Sequence, residues 1–94
     1  MTILDQIAGR IIREQELIIG PIAWSEANKV VGVRVIDQGK AEIEIEGEDK
    51  KQVIDMLVAR YERLFGRASH EVCREAAGKL LASLQPAEIP QSLQ

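Results

Sequence analysis

The chain has 94 residues and a formal net charge of −3, and 46% of its residues are hydrophobic while 3% are aromatic. This length fits a single domain, and the apolar content argues against a disordered chain. Lysine and arginine are dispersed among carboxylates, which argues against a nucleic-acid-binding surface. No apolar run approaches the roughly 20 residues that span a bilayer, and no signal peptide is visible, so we expect a cytoplasmic protein.

The N-terminal segment is predicted to form an amphipathic helix. Thr2 and Asp5 resemble a capping box, and apolar residues then recur at mostly helical spacing as far as Ile19. The pattern thins over residues 13–16, which predicts an exposed turn there. Gly9 lies inside this helix, where it is either a close packing contact or a tolerated defect.

Gly20–Pro21 is predicted to stop the first helix and to start a short second one. Proline is favoured at the first helical position, and residues 22–27 complete about two turns. Asn28 can supply the left-handed exit. Trp24 lies in this short helix, either as an exposed partner-binding anchor or, in the favoured interpretation, as a buried side chain between the helix and the segment that follows.

Residues 30–46 change to a period of two, which predicts an antiparallel β-hairpin. A three-residue loop over residues 37–39 would place Gly39 in the left-handed conformation that such loops require. The register that follows contains three apolar cross-strand pairs: Val35 with Ala41, Val33 with Ile43, and Val31 with Ile45.

Residues 49–84 are predicted to form two helices joined at Gly66. Apolar residues between positions 53 and 65 fall on one helical stripe, and a second stripe runs over residues 72–84. Ser69 is the expected N-cap of the second helix.

The predicted fold class is therefore α+β over residues 1–84: an N-terminal helix, a short helix, a two-stranded antiparallel hairpin and two C-terminal helices. Residues 85–94 contain two prolines and little pattern, so we expect a loosely ordered tail.

The hairpin predicts self-association. A lone two-stranded sheet has two open edges and is only marginally stable in water. The sequence offers no third strand unless residues 17–19 are extended rather than helical. Pairing of two hairpins across a two-fold axis is the favoured solution, so we expect dimerisation to complete the sheet. The alternative is a monomer whose helices wrap the hairpin.

His70 and Cys73 are the only histidine and the only cysteine, three residues apart near the start of the last helix. One chain supplies only two ligands, which is too few for a structural metal, although a dimer axis could bring four together. Cys73 lies on the buried stripe, where a thiol is inert, and His70 is expected to be solvated. Glu42, Glu44 and Glu46 share one environment, which favours a solvated strip over a catalytic pair. We predict no metal, no cofactor and no catalytic residue.

The sequence favours a non-catalytic interaction or regulatory domain that acts through protein–protein contacts as a homodimer. The candidate partner-binding residues are Trp24, Ile22, Ile19, Arg67 and His70. One alternative is a small-ligand sensor with an aliphatic pocket between the helices and the hairpin. A less favoured alternative is an enzyme that uses His70 at a dimer interface.

Overall fold

The computed structural model describes residues 2–94, and its elements follow the predicted order. They are α1 (Ile3–Ile19), α2 (Ile22–Asn28), β1 (Val33–Asp37), β2 (Glu42–Ile45), α3 (Lys50–Phe65) and α4 (Arg67–Leu81), followed by two 3-10 turns at Pro86–Glu88 and Gln91–Leu93. The predicted α+β class is confirmed, with one antiparallel hairpin among the described residues. Across residues 2–94, no helix combines the length and the apolar character needed to cross a membrane.

Helix α1 begins at the predicted capping box and does not break where a turn was expected. The Thr2 hydroxyl accepts the Asp5 N–H at 3.1 Å, and the Asp5 carboxylate accepts the Thr2 N–H at 3.0 Å. The turn predicted over residues 13–16 was wrong, because Gln15 lies four residues after Ile11 and continues the buried stripe.

Gly9 is a close packing contact between α1 and the start of β2. A β-carbon built at Gly9 would collide with the backbone oxygen of Ala41 and would touch the side chain of Ile43. Of the two interpretations left open by the sequence, the packing contact is therefore confirmed, and any larger residue would push the helix away from the hairpin.

The core lies between the helices and the inner face of the hairpin. Its largest fully buried side chains include Trp24, Tyr61, Ile7, Ile11, Ile12, Ile43, Ile54 and Leu57. Burial raises the pKa of Tyr61, so the phenol stays protonated and donates a hydrogen bond to the Ala23 carbonyl at 2.7 Å. The favoured interpretation of Trp24 as a buried residue is confirmed.

The hairpin has a different register from the predicted one. The observed partners are Val33 with Ile45, Arg34 with Glu44, Val35 with Ile43 and, after a bulge, Asp37 with Glu42. Each partner on β2 therefore lies two positions later than predicted. Because a shift of two residues keeps every side chain on its face, Val33, Val35, Ile43 and Ile45 still point into the core, whereas Val31 lies before β1 and is exposed.

The turn explains the shift. The strands are joined by residues 38–41, and the residue with positive φ is Ala41 at 54°, not Gly39. The Ala41 N–H donates to the Gln38 carbonyl at 3.1 Å, while the Asp37 side chain accepts the Lys40 N–H at 3.1 Å. These side-chain and backbone bonds within the turn stabilise a longer loop than the glycine pattern suggested.

Helices α3 and α4 meet at a single residue, Gly66. Its φ of 93° lets it end α3 and begin α4 without a linker. The prediction of Ser69 as the N-cap was wrong: α4 starts at Arg67, and Ser69 is buried within it.

The sequence predicts a loosely ordered tail for the C-terminal segment, residues 85–94. Its two 3-10 turns lie on the protein, and Leu93 is 3% exposed. Lys51 donates from Nζ to the Ala87 carbonyl at 2.8 Å. One apolar anchor and several polar contacts offset the entropy of ordering a short segment that has no helical or strand pattern.

The contact at Gly9 generates a paired prediction. Gly9→Ala should destabilise the fold by about 1–3 kcal/mol despite the higher helix propensity of alanine, because the methyl group displaces backbone. Gly78→Ala is the matched control: it lies inside α4, and an added β-carbon there meets no atom within 4 Å. That change should stabilise by about 0.5–1 kcal/mol. Urea unfolding of both variants measures the difference, and equal stabilities would contradict the packing at Gly9.

Candidate functional site

The outer edge of β1 is the open edge of the sheet. The Glu46 N–H donates to the Gly32 carbonyl at 2.8 Å, so Val33 and Ile45 form a non-hydrogen-bonded pair of the antiparallel ladder. It follows that the N–H and C=O of Val35 and the C=O of Val33 point away from β2. We find no hydrogen-bond partner for these three groups among residues 2–94.

Side chains near this edge add apolar surface. Val31 and Ile36 are 81% and 49% exposed. Arg34 lies on the solvent-facing side of the sheet, where its Nη1 is 3.6 Å from the Glu44 carboxylate. A strand edge that combines unpaired backbone groups with exposed aliphatic side chains is suited to pairing with another strand.

The outer edge of β2 is partly occupied instead. The Ile45 N–H points away from β1 and donates to the buried carboxylate of Asp5 at 2.9 Å. Burial opposes ionisation of Asp5, but hydrogen bonds from Ile45 and Thr2 outweigh it and hold the pKa of Asp5 below its ordinary value. Helix α1 therefore lies where a further strand would have to pair with this part of β2.

A second candidate surface, which we call the apolar end, is the set of exposed aliphatic side chains near the end of α1, the start of α2 and the end of α3. It consists of Leu17, Ile18, Ile22 and Leu64. The end of α1 lies beside the start of α4, because the Gln15 amide donates to the Ser69 carbonyl at 2.9 Å. Leu17 and Ile18 are 73% and 59% exposed, which is unusual for large aliphatic residues side by side.

The five residues predicted to bind a partner are only partly brought together. Ile22 is exposed at the apolar end, and Ile19 is half-buried beside it against the core. Trp24 is buried and offers no exposed ring. Arg67 is exposed at the start of α4, and His70 is half-buried against the C-terminal segment.

Trp24 supports the hairpin turn through Arg13. The Arg13 guanidinium lies 5.9 Å from the centroid of the Trp24 ring, within the range of a cation–π contact. The same guanidinium donates to the carbonyls of Gly39 and Gln38 at 2.7 and 3.2 Å. Trp24 therefore holds the turn indirectly, a role that its place in the sequence did not reveal.

A buried carboxylate joins α2 to α3. Glu26 contacts Lys29 Nζ at 3.1 Å and Arg60 Nε at 2.8 Å. Lys29 first and Arg60 second lower the pKa of Glu26. The sequence signal for this residue is its position three residues after Ala23, on the buried face of α2.

The cysteine and the histidine do not form a catalytic pair. Burial raises the pKa of Cys73 to about 11, against the opposing hydrogen bond from the Gln15 amide. Both ring nitrogens of His70 contact other groups, namely Glu62 and Ser92. Since a nucleophilic thiol needs a nearby base and a lowered pKa, Cys73 is placed as a core residue. The part of the chain that the structure describes has no group of three or more potential metal ligands.

The surface cavities are open grooves rather than enclosed ligand pockets. One of about 450 Å³ lies between α1 and α4, lined by charged residues that include Arg10, Glu14, Glu75 and Lys79. Another, of about 650 Å³, also borders Arg10 and Glu14 and extends to Lys40 at the hairpin turn. A small-molecule site needs an open, concave space with mainly apolar walls. The space between the helices and the hairpin, where the alternative of a ligand sensor requires such a pocket, is filled by aliphatic side chains.

Comparisons of the chain with protein-family models, with curated proteins and with solved structures found no match. The candidate surfaces of the protein are the open edge of β1 and the apolar end, and Cys73 is a buried thiol.

The environment of Cys73 predicts slow thiol chemistry. With the sulfur buried and its pKa raised to about 11, the folded protein should react with Ellman's reagent only as fast as it opens. Rapid, full reaction should appear in denaturing guanidinium, which serves as the control. Stoichiometric labelling of the native protein within the mixing time would show that the thiol is accessible and activated.

Proposed function

We propose that this chain is a small non-catalytic interaction or regulatory domain that acts through protein–protein contacts as a homodimer. The observation that carries the proposal is the unequal state of the two sheet edges. Helix α1 packs along β2, and its Asp5 accepts the Ile45 N–H, while the N–H and C=O of Val35 and the C=O of Val33 on the β1 edge have no partner among the described residues. An open edge of this kind pairs most simply with the same edge of a second copy.

The charges on β1 select the register of such a dimer. With Arg34 on the two-fold axis, two guanidinium groups would face each other, which is destabilising. With Val35 on the axis, its N–H and C=O bond to those of the partner's Val35 in both directions. Arg34 then lies opposite the partner's Ile36, so no like charges meet.

This arrangement gives a four-stranded sheet in the order β2-β1-β1-β2. Its two outer edges are the β2 edges, each of which carries the Asp5 contact with α1. The unpaired groups on the β1 edge would therefore gain partners without any additional strand from the same chain. The apolar end is made of different residues, so it supplies the surface for a further protein partner.

Replacing the outward N–H tests the dimer. Val35→Pro removes the N–H that points away from β2 and leaves the hydrogen bonds within the hairpin intact. We expect it to weaken dimerisation by roughly one to two orders of magnitude, since two symmetric bonds are lost. Light scattering over a range of concentrations measures this.

Val35→Ala is the control for that variant, because it loses similar side-chain packing and keeps the N–H. It should remain dimeric, with circular dichroism confirming that both variants are folded. A wild-type protein that is monomeric at every concentration would contradict the proposal, as would equal dimerisation of the two variants.

The register has its own test. Ile36→Glu places a carboxylate opposite the partner's Arg34 if Val35 lies on the axis, so dimerisation should tighten by roughly two- to tenfold at low salt. Ile36→Gln supplies similar size without charge and should show no such gain. If Ile36→Glu weakens the dimer instead, Ile36 itself lies on the axis, where the two carboxylates would repel.

A further inference from the structure

The C-terminal residues 86–94, which we call the strap, lie against α3 and α4. Leu93 is the apolar anchor at 3% exposure, and Pro90 is buried beside it. The strap has no extended hydrogen-bond ladder, since it consists of two 3-10 turns joined by a short irregular segment. The strap is therefore attached by few contacts, and the loss of one removes a large share of the free energy that holds it against α3 and α4.

Ser92 is the polar centre of these contacts. Its N–H and its hydroxyl both donate to the Asp55 carboxylate of α3, the former at 2.9 Å. Its carbonyl oxygen lies 2.6 Å from Nε2 of His70 on α4. The other ring nitrogen, Nδ1, is 3.0 Å from the Glu62 carboxylate.

The histidine ring therefore faces two groups that only accept hydrogen bonds. A backbone carbonyl and an ionised carboxylate have no proton to give, so each ring nitrogen must donate. Neutral imidazole carries one N–H and can satisfy only one of the two acceptors. The doubly protonated imidazolium satisfies both, and it is the form that this geometry selects.

The surrounding carboxylates also favour the doubly protonated form of His70. Glu62 faces the ring from α3, and Glu71 acts on it from α4, where it is also paired with Arg74. Asp55 of α3 acts on Ser92 rather than on the ring, and strap residues 89–94 have no ionisable side chain.

The pKa of His70 follows from these contacts. The hydrogen bond to the Ser92 carbonyl raises it most, partial burial opposes this, and Glu62 adds to the rise, so the pKa lies above its ordinary value. We propose that the strap is a pH-sensitive closure: it is held on α3 and α4 while His70 is doubly protonated, and it opens more often when His70 is neutral.

The direction of the pH effect follows from linkage. A group whose pKa is raised in the closed state contributes its full stabilisation below its ordinary pKa, and loses it as pH rises through the raised value. Closure should therefore be tightest in mildly acidic solution and should weaken at alkaline pH. Loss of one hydrogen bond of ordinary strength corresponds to about a two- to tenfold increase in the opening constant.

The test is NMR-detected amide exchange of Ser92 and Leu93 in the full-length protein, corrected for intrinsic exchange, at about pH 5.5 and about pH 8.5. We expect the opening constant to rise about two- to tenfold between these conditions. In His70→Gln, which is neutral throughout, this pH dependence should disappear. In Ser92→Ala, which loses only the hydroxyl bond to Asp55, opening should increase at both pH values while the pH dependence remains. A wild-type protein without pH dependence, or one whose dependence persists in His70→Gln, would overturn the proposal.

A second measurement does not require the histidine variant to fold. Leu93→Gln removes the apolar anchor without adding charge and should release the strap. The pKa of His70, followed by NMR of its ring protons, should then fall toward the ordinary value near 6.5. An unchanged pKa in Leu93→Gln would mean that the strap does not hold the proton, and the proposal would fail.

Discussion

The hydrogen bond from the Ile45 N–H to the buried Asp5 carboxylate is the contact on which the arrangement of this protein depends. It ties the first turn of α1 to the end of β2, and the close approach of Gly9 to Ala41 ties the middle of the same helix to the start of that strand. The helix is thereby fixed along one edge of a two-stranded sheet. The opposite edge keeps the N–H and C=O of Val35 and the C=O of Val33 without a partner among residues 2–94, and this asymmetry is the physical basis of the proposed self-association.

Most of the architecture could be predicted because it follows from periodicity. Apolar spacing identified the helices, and alternation identified the hairpin, since both reflect which side chains can share a buried face. The helix boundary at Gly66 was also visible, because only glycine adopts that conformation at little cost. The register was not visible: the turn is set by bonds that involve Asp37 and Gln38, and a two-residue shift leaves the hydrophobic pattern unchanged.

The polar contacts in the interior of the protein could not be predicted from the sequence. Gln15 is fully buried because it meets Ser69 and Cys73, which are more than fifty positions away in the chain. The ordered C-terminal segment depends in the same way on Asp55 and His70, which lie in other helices. Such pairs leave no local pattern in the sequence. Charged or amide residues on a helix are therefore predicted to be solvated, although the fold brings them next to buried partners.

The residues of the candidate site also divide into those that the sequence predicts and those that it does not. Exposure of Ile22 and burial of Trp24 were both within reach of sequence reasoning, because one follows a helix break and the other completes an aromatic-poor core. The open edge of β1 could not be predicted from the sequence. Either edge of a hairpin can be covered by a helix, and which edge is covered depends on the position of Asp5 in the folded chain. His70 illustrates the limit most clearly: its two partners come from α3 and from the C-terminal segment, and no spacing rule relates them.

The most direct measurement of the central claim is amide exchange at Val35 and Ile45 as a function of protein concentration. The Ile45 amide, bonded to Asp5, should be protected at every concentration. The Val35 amide should exchange freely in dilute solution and become protected as the dimer forms. Protection of Val35 in a dilute monomer, or free exchange of Val35 in a dimer established by light scattering, would show that the β1 edge is not the surface through which this protein associates.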